Sequence, residues 1–496
     1  MLFNSYVFIL LFLPLVLIGY YALGKSGDCR RTTGFLLLAG LCFAGYQSIY
    51  SLAVLLVSIL VNFGFLKWLE KKQSKAVLAL GIAFNLGLLF VFKYLDFFIE
   101  NLNLLLEALL PAGVQFPLGA QLSPLSLILP LGISFYTFGQ IAVLADCYSK
   151  KNYEKYTLCE YACYVSFFPK LIQGPIAFHN EIIPGLRDKN ALKINYDNLC
   201  KGIYAFALGL GKKVLLADTL AKTVNIGYNN VGALNSWDAI LVMVCYSLQI
   251  YFDFSGYCDM AYGIGYLLNR KLPVNFNSPY KAESISDFWD RWHMTLTRFF
   301  TRYLYIPLGG SRKGKIRTLV NIMIVFLLSG LWHGANWTFI LWGAFHGILK
   351  VFERVVRVEN WKLPGLLKRF ITFVVVTFAW SIFRADSLSQ LLLLWDRLFH
   401  GGFGRLYSPF IEGFADLVEV SVLRRIGIAG LLGGNQWILL AAFVVVLVLA
   451  CFFMKNTQEK AENLKLTKWK MAVTIILMIW GIMSLAEISE FIYSNF

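Results

Sequence analysis

The sequence predicts an all-α, polytopic membrane protein with about ten transmembrane helices, accompanied by re-entrant and interfacial helices. Three observations support this prediction. Hydrophobic residues make up 58% of the 496-residue chain and charged residues only 15%, and the mean hydropathy is +0.62. Several windows contain the roughly 20 apolar residues that a helix needs to cross a bilayer. Lys and Arg residues concentrate in the loops beside these windows, as the positive-inside rule expects.

The formal net charge of +16 does not indicate a nucleic-acid partner. The basic residues flank apolar segments, as expected for cytosolic loops of a membrane protein. The sequence also contains no zinc-finger, RRM or helix-turn-helix pattern. The nine cysteines lack CxxC spacing and mostly lie in apolar stretches, so we expect neither a disulfide framework nor a metal site. We therefore predict one membrane domain, residues 1–496, surrounded by lipid.

The charge order assigns the first spans and places the N-terminus outside. The first apolar run, residues 6–23, is followed rather than preceded by basic residues, which is the opposite of a cleaved signal peptide. Residues 99–123 contain Glu but no Lys or Arg, so we predict an outside loop there. The other early crossings are predicted at residues 33–47, 49–69 and 76–98, and from Leu125 onward.

Residues 157–176 form an apolar segment that Pro169, Gly174 and Pro175 interrupt. Proline removes a helix donor, and unpaired backbone groups are tolerated at membrane depth only where protein or water shields them. Two interpretations stay open, namely a re-entrant segment that turns back and an ordinary kinked span.

Crossings are next predicted at residues 198–228 and 237–268, and the second carries Asp253 and Asp259 inside the apolar sequence YFDFSGYCDM. On the insertion scale each carboxylate costs about 2.5–3.5 kcal/mol at mid-membrane unless it is paired or protonated. We favour structural ion pairs over direct chemistry. The nearest cationic candidates along the sequence are Arg291, Arg298 and Arg302.

A polar, aromatic and basic stretch follows at residues 271–317, and we assign it to the cytosolic side. Ser284 and Asp287 have the spacing of a helix N-cap and its third residue. The predicted helix is typical of one that lies on the membrane surface, because its aromatic residues recur every three or four positions. They are Phe288, Trp292, Phe299 and Tyr303.

The apolar stretch at residues 318–352 is too long for one upright span. Residues 330–334 divide it, so we predict two short helices that meet at His333. Further crossings are predicted at residues 370–384, 437–454 and 471–490, with a long outside segment at 385–435. Both termini are then outside.

Two histidines in similar settings, His293 in Arg-Trp-His and His333 in Trp-His-Gly, are the candidate catalytic residues. An imidazole exchanges protons near neutral pH, and burial keeps it neutral and basic. A lone histidine on an apolar helix is more often a core residue, but Gly334 beside His333 permits close approach of a substrate. His293 would orient His333, hold the acceptor or share the proton. Residues 277–353 are the predicted active-site core.

Further candidates accompany these histidines. Along the substrate path we place Trp292, Trp332, Asn336, Asp253, Asp259 and Arg291. The basic run with Arg312, Lys313 and Lys315 is typical of a cytosolic anchor, and it would also suit the phosphates of a nucleotide-like thioester. For His179, His346 and His400 we predict structural roles.

Five segments together resemble the membrane-bound O-acyltransferase superfamily. They are ILPLGISFYTF, SFFPKLIQGPI, YFDFSGYCDMA, FWDRWHMTLTRFFTRYLYIPLGGSRKG and GLWHGANWTFILWGAFHG. Within the superfamily they are similar to the bacterial branch typified by the membrane subunit of alginate O-acetylation. The resemblance extends from the first span to about Phe383 and places the family's two active-site histidines on His293 and His333. It also implies helices arranged around a central tunnel.

The resemblance implies a function. An acetyl group from cytosolic acetyl-CoA would pass through the bacterial plasma (inner) membrane, without a tightly bound cofactor. A secreted or tethered partner of the SGNH-hydrolase type would then place it on hydroxyls of an extracellular polysaccharide, such as an alginate-like polymer, cellulose or peptidoglycan. Asp290 and the pair Phe178-His179 depart from residues common in alginate members, which leaves the acceptor open.

Three alternatives remain. A related enzyme would transfer D-alanine from a carrier-protein thioester to teichoic acid. A proton-coupled transporter would use Asp253, Asp259 and the histidines as a relay without covalent chemistry, although the sequence has no evident internal repeat. A scaffold that only anchors an extracellular enzyme would tolerate the loss of both candidate histidines.

Overall fold

The computed structural model describes residues 1–109, 122–151, 153–415, 417–427, 435, 437–486 and 491–492. Within these ranges every regular element is a helix, which confirms the predicted all-α class. Among the described helices, six are long and apolar enough to cross a membrane: Val7–Gly24, Ile49–Lys71, Lys75–Ala108, Ser236–Leu267, Lys315–His333 and Gly365–Arg384. Other apolar helices, such as Trp437–Phe453, are shorter, so the number of about ten crossings stays a prediction.

The chain divides into two structural units. The first unit comprises Met1, Pro14–Ile194 and Leu331–Asn336, and the second unit comprises Leu2–Leu13, Asn195–Gly330 and Trp337–Phe496. The predicted active-site core, residues 277–353, therefore supplies residues to both units.

The first unit contains the helices of the N-terminal part of the chain. They are α1 (Leu13–Gly24), α2 (Cys29–Gln47), α3 (Ile49–Lys71), α4 (Lys75–Leu89), α5 (Leu95–Ala108), α6 (Ile133–Ser149), α7 (Leu158–Val165), α8 (Phe168–Leu171) and α9 (His179–Arg187). Side chains before the helices fix two of the starts, because Asp28 accepts from backbone N–H groups of α2 and Ser48 accepts from one of α3.

Helices α4 and α5 form one continuous helix, because the π-helical turn Phe90–Tyr94 joins them without a break. The whole helix, Lys75–Ala108, has 34 residues. The predicted outside loop was therefore wrong for residues 99–108, and residues 110–121 lie outside the described part of the chain. Glu100 and Glu107 are exposed and lie seven positions apart on one helix face, so their charges did not require a loop.

Helix α6 begins at Ile133 rather than near Leu125, because two prolines, Pro124 and Pro130, precede it. Gly132 takes a φ of +72° before the first helical turn, and a Cβ there would meet the carbonyl oxygen of Leu171. Further along, α7 and α8 are only eight and four residues long. Neither is long enough on its own to cross a bilayer, and the re-entrant segment and the kinked span both stay predictions.

The second unit contains the remaining helices, apart from the last three residues of α15. They are α10 (Tyr196–Gly211), α11 (Asp218–Asn229), α12 (Ser236–Leu267), α13 (Ile285–Arg291), α14 (Met294–Phe300), α15 (Lys315–His333), α16 (Trp337–Val356), α17 (Gly365–Arg384), α18 (Leu388–His400), α19 (Ser408–Ala415), α20 (Val418–Arg425), α21 (Trp437–Phe453), α22 (Thr457–Glu462) and α23 (Lys468–Met483).

Helix α12 is the buried centre of the second unit, since 83% of an apolar 18-residue stretch of this helix is buried in the protein. It packs closely against α10, because glycines face each other where the two helices meet. A Cβ added at Gly209 would lie only 2.6 Å from the carbonyl oxygen of Gly256. The π-helical turn Lys212–Ala217 that follows α10 is thereby held against α12.

The predicted surface helix after Ser284 begins as expected but is shorter. The Ser284 hydroxyl oxygen accepts a hydrogen bond from the backbone N–H of Asp287 at 3.0 Å. Helix α13 then ends at Arg291, and His293 has a left-handed backbone with φ +44°. The predicted aromatic residues Phe288, Trp292 and Phe299 are buried in the protein, because a three- to four-residue spacing also suits short helices that face a core.

Two predictions about residues beyond 317 have different outcomes. Helix α15 ends at His333 and α16 begins at Trp337, which confirms the predicted division, but the helices have 19 and 20 residues and are not short, and α15 is long enough to cross a membrane. The predicted long outside segment at 385–435 contains the helices α18, α19 and α20. Leu391 and Leu394 of α18 are buried, so an amphipathic helix covers the core there.

Candidate active site

His333 is the last residue of α15 and is only 2% exposed. The final carbonyl groups of a helix have no partner within the helix. Here the Lys93 ammonium donates to the carbonyl oxygens of Trp332 and His333, with Nζ at 2.7 and 3.1 Å. The Tyr94 hydroxyl donates to the carbonyl oxygen of Leu331 at 2.9 Å. Two consecutive side chains thus cap three consecutive carbonyls of the helix that presents His333.

Lys93 and Tyr94 reach this helix end from the π-helical turn of the long helix α4–α5. A π-helical turn inserts an extra residue into an α-helix and is frequent at functional sites. Neither Lys93 nor Tyr94 was among the predicted site residues. A lysine within the apolar run FVFKYLDFF was the available signal, because a charge at membrane depth is costly unless it has partners.

The indole of Trp332 forms an aromatic wall beside His333. Its ring centroid lies 5.4 Å from that of Phe135 and 5.5 Å from that of Phe138, both on α6. The imidazole of His333 stands edge-on to the indole, with centroids 4.9 Å apart. Asn336, three residues further along, is half-buried. The first unit therefore brings together Trp332, His333 and Asn336 of the predicted site.

Lys170 is a second buried cation of the first unit that the sequence analysis missed. It is 7% exposed, and its Nζ lies 4.0 Å from the ring centroid of Tyr164. It lines a small cavity together with Phe135 and Tyr136. Phe135 also packs on Trp332. The ring of Phe135 therefore lies between Lys170 and the indole of Trp332.

His293 lies in the second unit, fully buried at the start of α14. Its Nδ1 is 3.1 Å from the side-chain oxygen of Asn275. An amide oxygen only accepts hydrogen bonds, so Nδ1 carries the proton and Nε2 is the basic nitrogen. Thr295 donates to the same oxygen with its hydroxyl at 2.8 Å, which fixes the amide. The ring of Phe254 stands perpendicular to the imidazole at 4.9 Å.

Burial lowers the pKa of His293 to about 3, against a smaller opposing effect of a backbone hydrogen bond. The imidazole is therefore neutral at physiological pH. A neutral imidazole with a fixed tautomer can accept a proton or hold a hydroxyl group.

Trp292 and Arg291 precede His293 but have different surroundings. The Trp292 indole is 1% exposed and packs among aromatic rings, with centroids 4.9 Å from Phe276 and 4.8 Å from Trp380. Arg291 is half-buried and pairs with Asp287 at 2.6 Å. Trp292 thus belongs to the core around His293, whereas Arg291 stabilises α13.

Asp253 and Asp259 pair with lysines that follow α10, so the predicted partners Arg291, Arg298 and Arg302 were wrong. The Lys213 Nζ lies 2.7 Å from Asp253 and 2.9 Å from Asp218. The Lys212 Nζ lies 2.6 Å from Asp259. Sequence distance misled the prediction, because the close packing of α10 on α12 brings Lys212 and Lys213 next to the carboxylates. The ion pairs themselves agree with the predicted structural role.

The remaining polar candidates are spread over the second unit, except for His179. Arg312, Lys313 and Lys315 are exposed in the turn that leads into α15. The Trp289 indole N–H donates to Nδ1 of buried His346 at 3.3 Å, and exposed His400 lies beside Asp396.

His179 lies in the first unit. It is buried between Asp146 at 3.0 Å and the Tyr156 hydroxyl at 2.7 Å. Within the described residues, no group of three or more His, Cys, Asp or Glu side chains could hold a metal ion.

We predict that Lys93→Met loosens the end of α15. The variant removes the two hydrogen bonds that the Lys93 ammonium donates to the carbonyls of Trp332 and His333, and a hydrogen bond with a charged donor contributes about 1.5–3 kcal/mol. Hydrogen–deuterium exchange of the backbone at residues 331–336 should rise, and the melting temperature should fall. Lys93→Arg retains donors and should restore protection. Unchanged exchange at 331–336 in Lys93→Met would contradict the capping role.

We also predict that His293 makes stability depend on pH. The unfolded chain binds a proton at this residue near pH 6.5, but the folded protein does so only near pH 3. The free energy of unfolding should therefore fall as the pH falls from about 6.5 toward 3. His293→Asn should flatten this slope in melting temperatures measured between pH 7.5 and 5.5. Exposed His400→Asn is the control, and equal slopes in all three proteins would refute the prediction.

The chain matches known proteins along most of its length. The family model described as MBOAT, membrane-bound O-acyltransferase family, matches residues 10–395. The peptidoglycan O-acetyltransferase of Helicobacter pylori is 40% identical over 425 residues, which cover 79% of this chain and 78% of that protein. The probable alginate O-acetylase AlgI of Pseudomonas aeruginosa is 33% identical over 478 residues, which cover 93% and 84%.

A more distant relative is named for the transfer of a different acyl group. The teichoic acid D-alanyltransferase of Bacillus subtilis is 29% identical over 277 residues, which cover 52% of this chain and 70% of that protein. The match to the family model and the 40% identity to a named acetyltransferase identify the type of protein. The chain belongs to the membrane-bound O-acyltransferase family and is a multi-pass membrane acyltransferase.

Proposed function

We propose that the protein acetylates a cell-envelope polysaccharide across the bacterial plasma membrane. Acetyl-CoA on the cytosolic side donates the acetyl group, and an SGNH-hydrolase-like partner outside completes its transfer to sugar hydroxyls. The observation that carries the proposal is the buried His333, held at a capped helix end in a chain 40% identical to a peptidoglycan O-acetyltransferase. Peptidoglycan is the first acceptor to test, and an alginate-like polymer or cellulose comes next.

His333 would act on the thioester in one of two ways. As a general base it takes the proton of an attacking hydroxyl, whose oxygen bonds to the acetyl carbon while the carbon–sulfur bond breaks. The sulfur then receives that proton and leaves as free CoA. As a nucleophile, the imidazole nitrogen bonds to the acetyl carbon while the carbon–sulfur bond breaks, and the sulfur takes the proton of the other ring nitrogen and leaves as free CoA. The hydroxyl oxygen then attacks the acyl-imidazole, the carbon–nitrogen bond breaks, and the hydroxyl proton passes to the imidazole. Both routes need a neutral imidazole held in place.

His293 would assist as the second histidine. Asn275 fixes its tautomer, so the basic Nε2 can orient the acceptor hydroxyl or share its proton. We assign Trp292, Trp332 and Asn336 to the walls of the substrate path. Arg291, Asp253 and Asp259 were also placed there, but their ion pairs support a packing role. The exposed basic turn of Arg312, Lys313 and Lys315 would meet the CoA phosphates.

D-alanyl transfer to teichoic acid is the rival reaction. The Bacillus subtilis relative supports it, but that match covers 52% of this chain, compared with 79% for the peptidoglycan O-acetyltransferase. Membership of an acyltransferase family leaves no support for the transporter alternative. Asp253 and Asp259 each form an ion pair with a lysine. A proton relay through these carboxylates would have to break both ion pairs.

We predict that His333→Ala abolishes acetyl transfer while leaving the protein folded. The loss of general acid–base catalysis should slow CoA release from acetyl-CoA by about 10²–10⁴-fold in liposomes. Base-released acetate should disappear from the peptidoglycan of cells in which only this variant is expressed. Exposed His400→Ala is the matched control and should behave as wild type in both assays.

Two outcomes would decide against the proposal. Retained CoA release by a folded His333→Ala protein would remove His333 from the chemistry. Loss of ester-linked D-alanine from teichoic acid, with polysaccharide acetate unchanged, would favour the rival reaction. Melting temperature and gel-filtration elution establish that the variant is folded.

A further inference from the structure

The second unit contains a cleft that none of the roles above uses. Its volume is about 230 Å³. Three lysines line it, Lys212, Lys455 and Lys460, and the rest of its lining is mostly apolar. We call it the lysine cleft. It combines positive charge with an apolar interior, which is the combination that an anionic amphiphile requires.

The apolar lining comes from helices at both ends of the second unit's sequence. Leu208 belongs to α10, Leu447 and Ala450 belong to α21, and Leu477 belongs to α23. On α21 and α23, neighbouring apolar side chains such as Val446 and Ile476 are exposed. In a multi-pass membrane protein, exposed apolar side chains on such helices contact lipid chains. The cleft therefore extends a lipid-facing surface into the protein.

The charged part of the cleft has more cations than carboxylates. Lys212 pairs with Asp259, and Lys455 lies 2.6 Å from Glu459. Lys460 has no ion pair among the described residues. Burial, together with the nearby charge of Lys212, lowers the pKa of Lys460. A bound anion would relieve this repulsion, and the side chains of Asn456 and Thr457 in the same lining can donate hydrogen bonds to it.

We propose that the lysine cleft binds an anionic phospholipid. The phosphate contacts Lys455 and Lys460, and one acyl chain lies along Leu447, Ala450 and Leu477. Lys455 and Lys460 follow the end of the apolar helix α21, where headgroups of a bilayer lie, and basic residues there attract anionic lipids. The apolar interior of the cleft favours a phospholipid over free phosphate, because phosphate has no apolar part to bury there.

The C-terminal part of the chain supplies about half of the residues that line the cleft. The match to the family model ends at residue 395, whereas α21, α22 and α23 lie beyond it. The cleft also adjoins the surroundings of His293, because Tyr251 lines it and its ring centroid lies 6.3 Å from that of Trp292. The inference goes beyond the proposed acetyl transfer and does not depend on it.

The test measures lipid binding to the delipidated full-length protein. Phosphatidylglycerol, phosphatidylcholine and inorganic phosphate are titrated separately while the melting temperature is followed, and native mass spectrometry counts the bound lipid. The double variant Lys455→Gln/Lys460→Gln should bind phosphatidylglycerol roughly 25-fold more weakly, at about fivefold per lysine. The control Lys465→Gln/Lys468→Gln removes the same charge from exposed positions of the same region and should bind as wild type.

A second variant tests the apolar part without changing charge. Ala450→Trp fills the cleft and should also abolish phosphatidylglycerol binding. The proposal is overturned if the control loses as much affinity as the double variant, or if Ala450→Trp binds normally. It is equally overturned if phosphatidylcholine or inorganic phosphate stabilises the protein as phosphatidylglycerol does. No readout requires acetyl transfer, so a negative result here leaves the proposed enzyme activity untouched.

Discussion

A buried helix end must find donors for its last carbonyl groups, and this requirement governs the surroundings of His333. Water cannot satisfy these groups where the protein buries them, and each unpaired one is costly. Lys93 and Tyr94 supply three hydrogen bonds from a single π-helical turn. The same contacts that satisfy the backbone also fix the position from which the imidazole projects. One pair of side chains thus satisfies the helix end and positions the imidazole that we propose as the catalytic group.

Buried ionisable groups elsewhere in the chain follow the same rule in different ways. The carboxylates of α12 are neutralised by lysines at 2.6–2.7 Å, and Lys170 lies over the face of Tyr164. His293 instead stays uncharged, with Asn275 holding its Nδ1–H. This difference matters chemically, because a neutral imidazole remains a base.

The sequence predicted the elements that depend on local pattern. Apolar runs located most of the helices, the Ser284 cap was placed correctly, and the meeting of α15 and α16 followed from the glycines around His333. Contacts between distant segments could not be predicted in this way. Lys93 and Lys212 act on residues far along the chain, and no local signal marks the left-handed backbone of His293 that breaks the expected helix. The distribution of charged residues did not predict where α5 ends, because the exposed glutamates Glu100 and Glu107 lie on the helix itself.

The two neighbouring lysines after α10 have a consequence for how α12 can vary. Lys212 and Lys213 are adjacent, yet the carboxylates that they hold are six positions apart, at 259 and 253. The two ion pairs form together only when α12 has one particular position along its axis relative to the lysines. An insertion or deletion of a single residue between the two aspartates would rotate one of them by about 100° around the helix. The spacing inside α12 is therefore held by electrostatics as well as by packing.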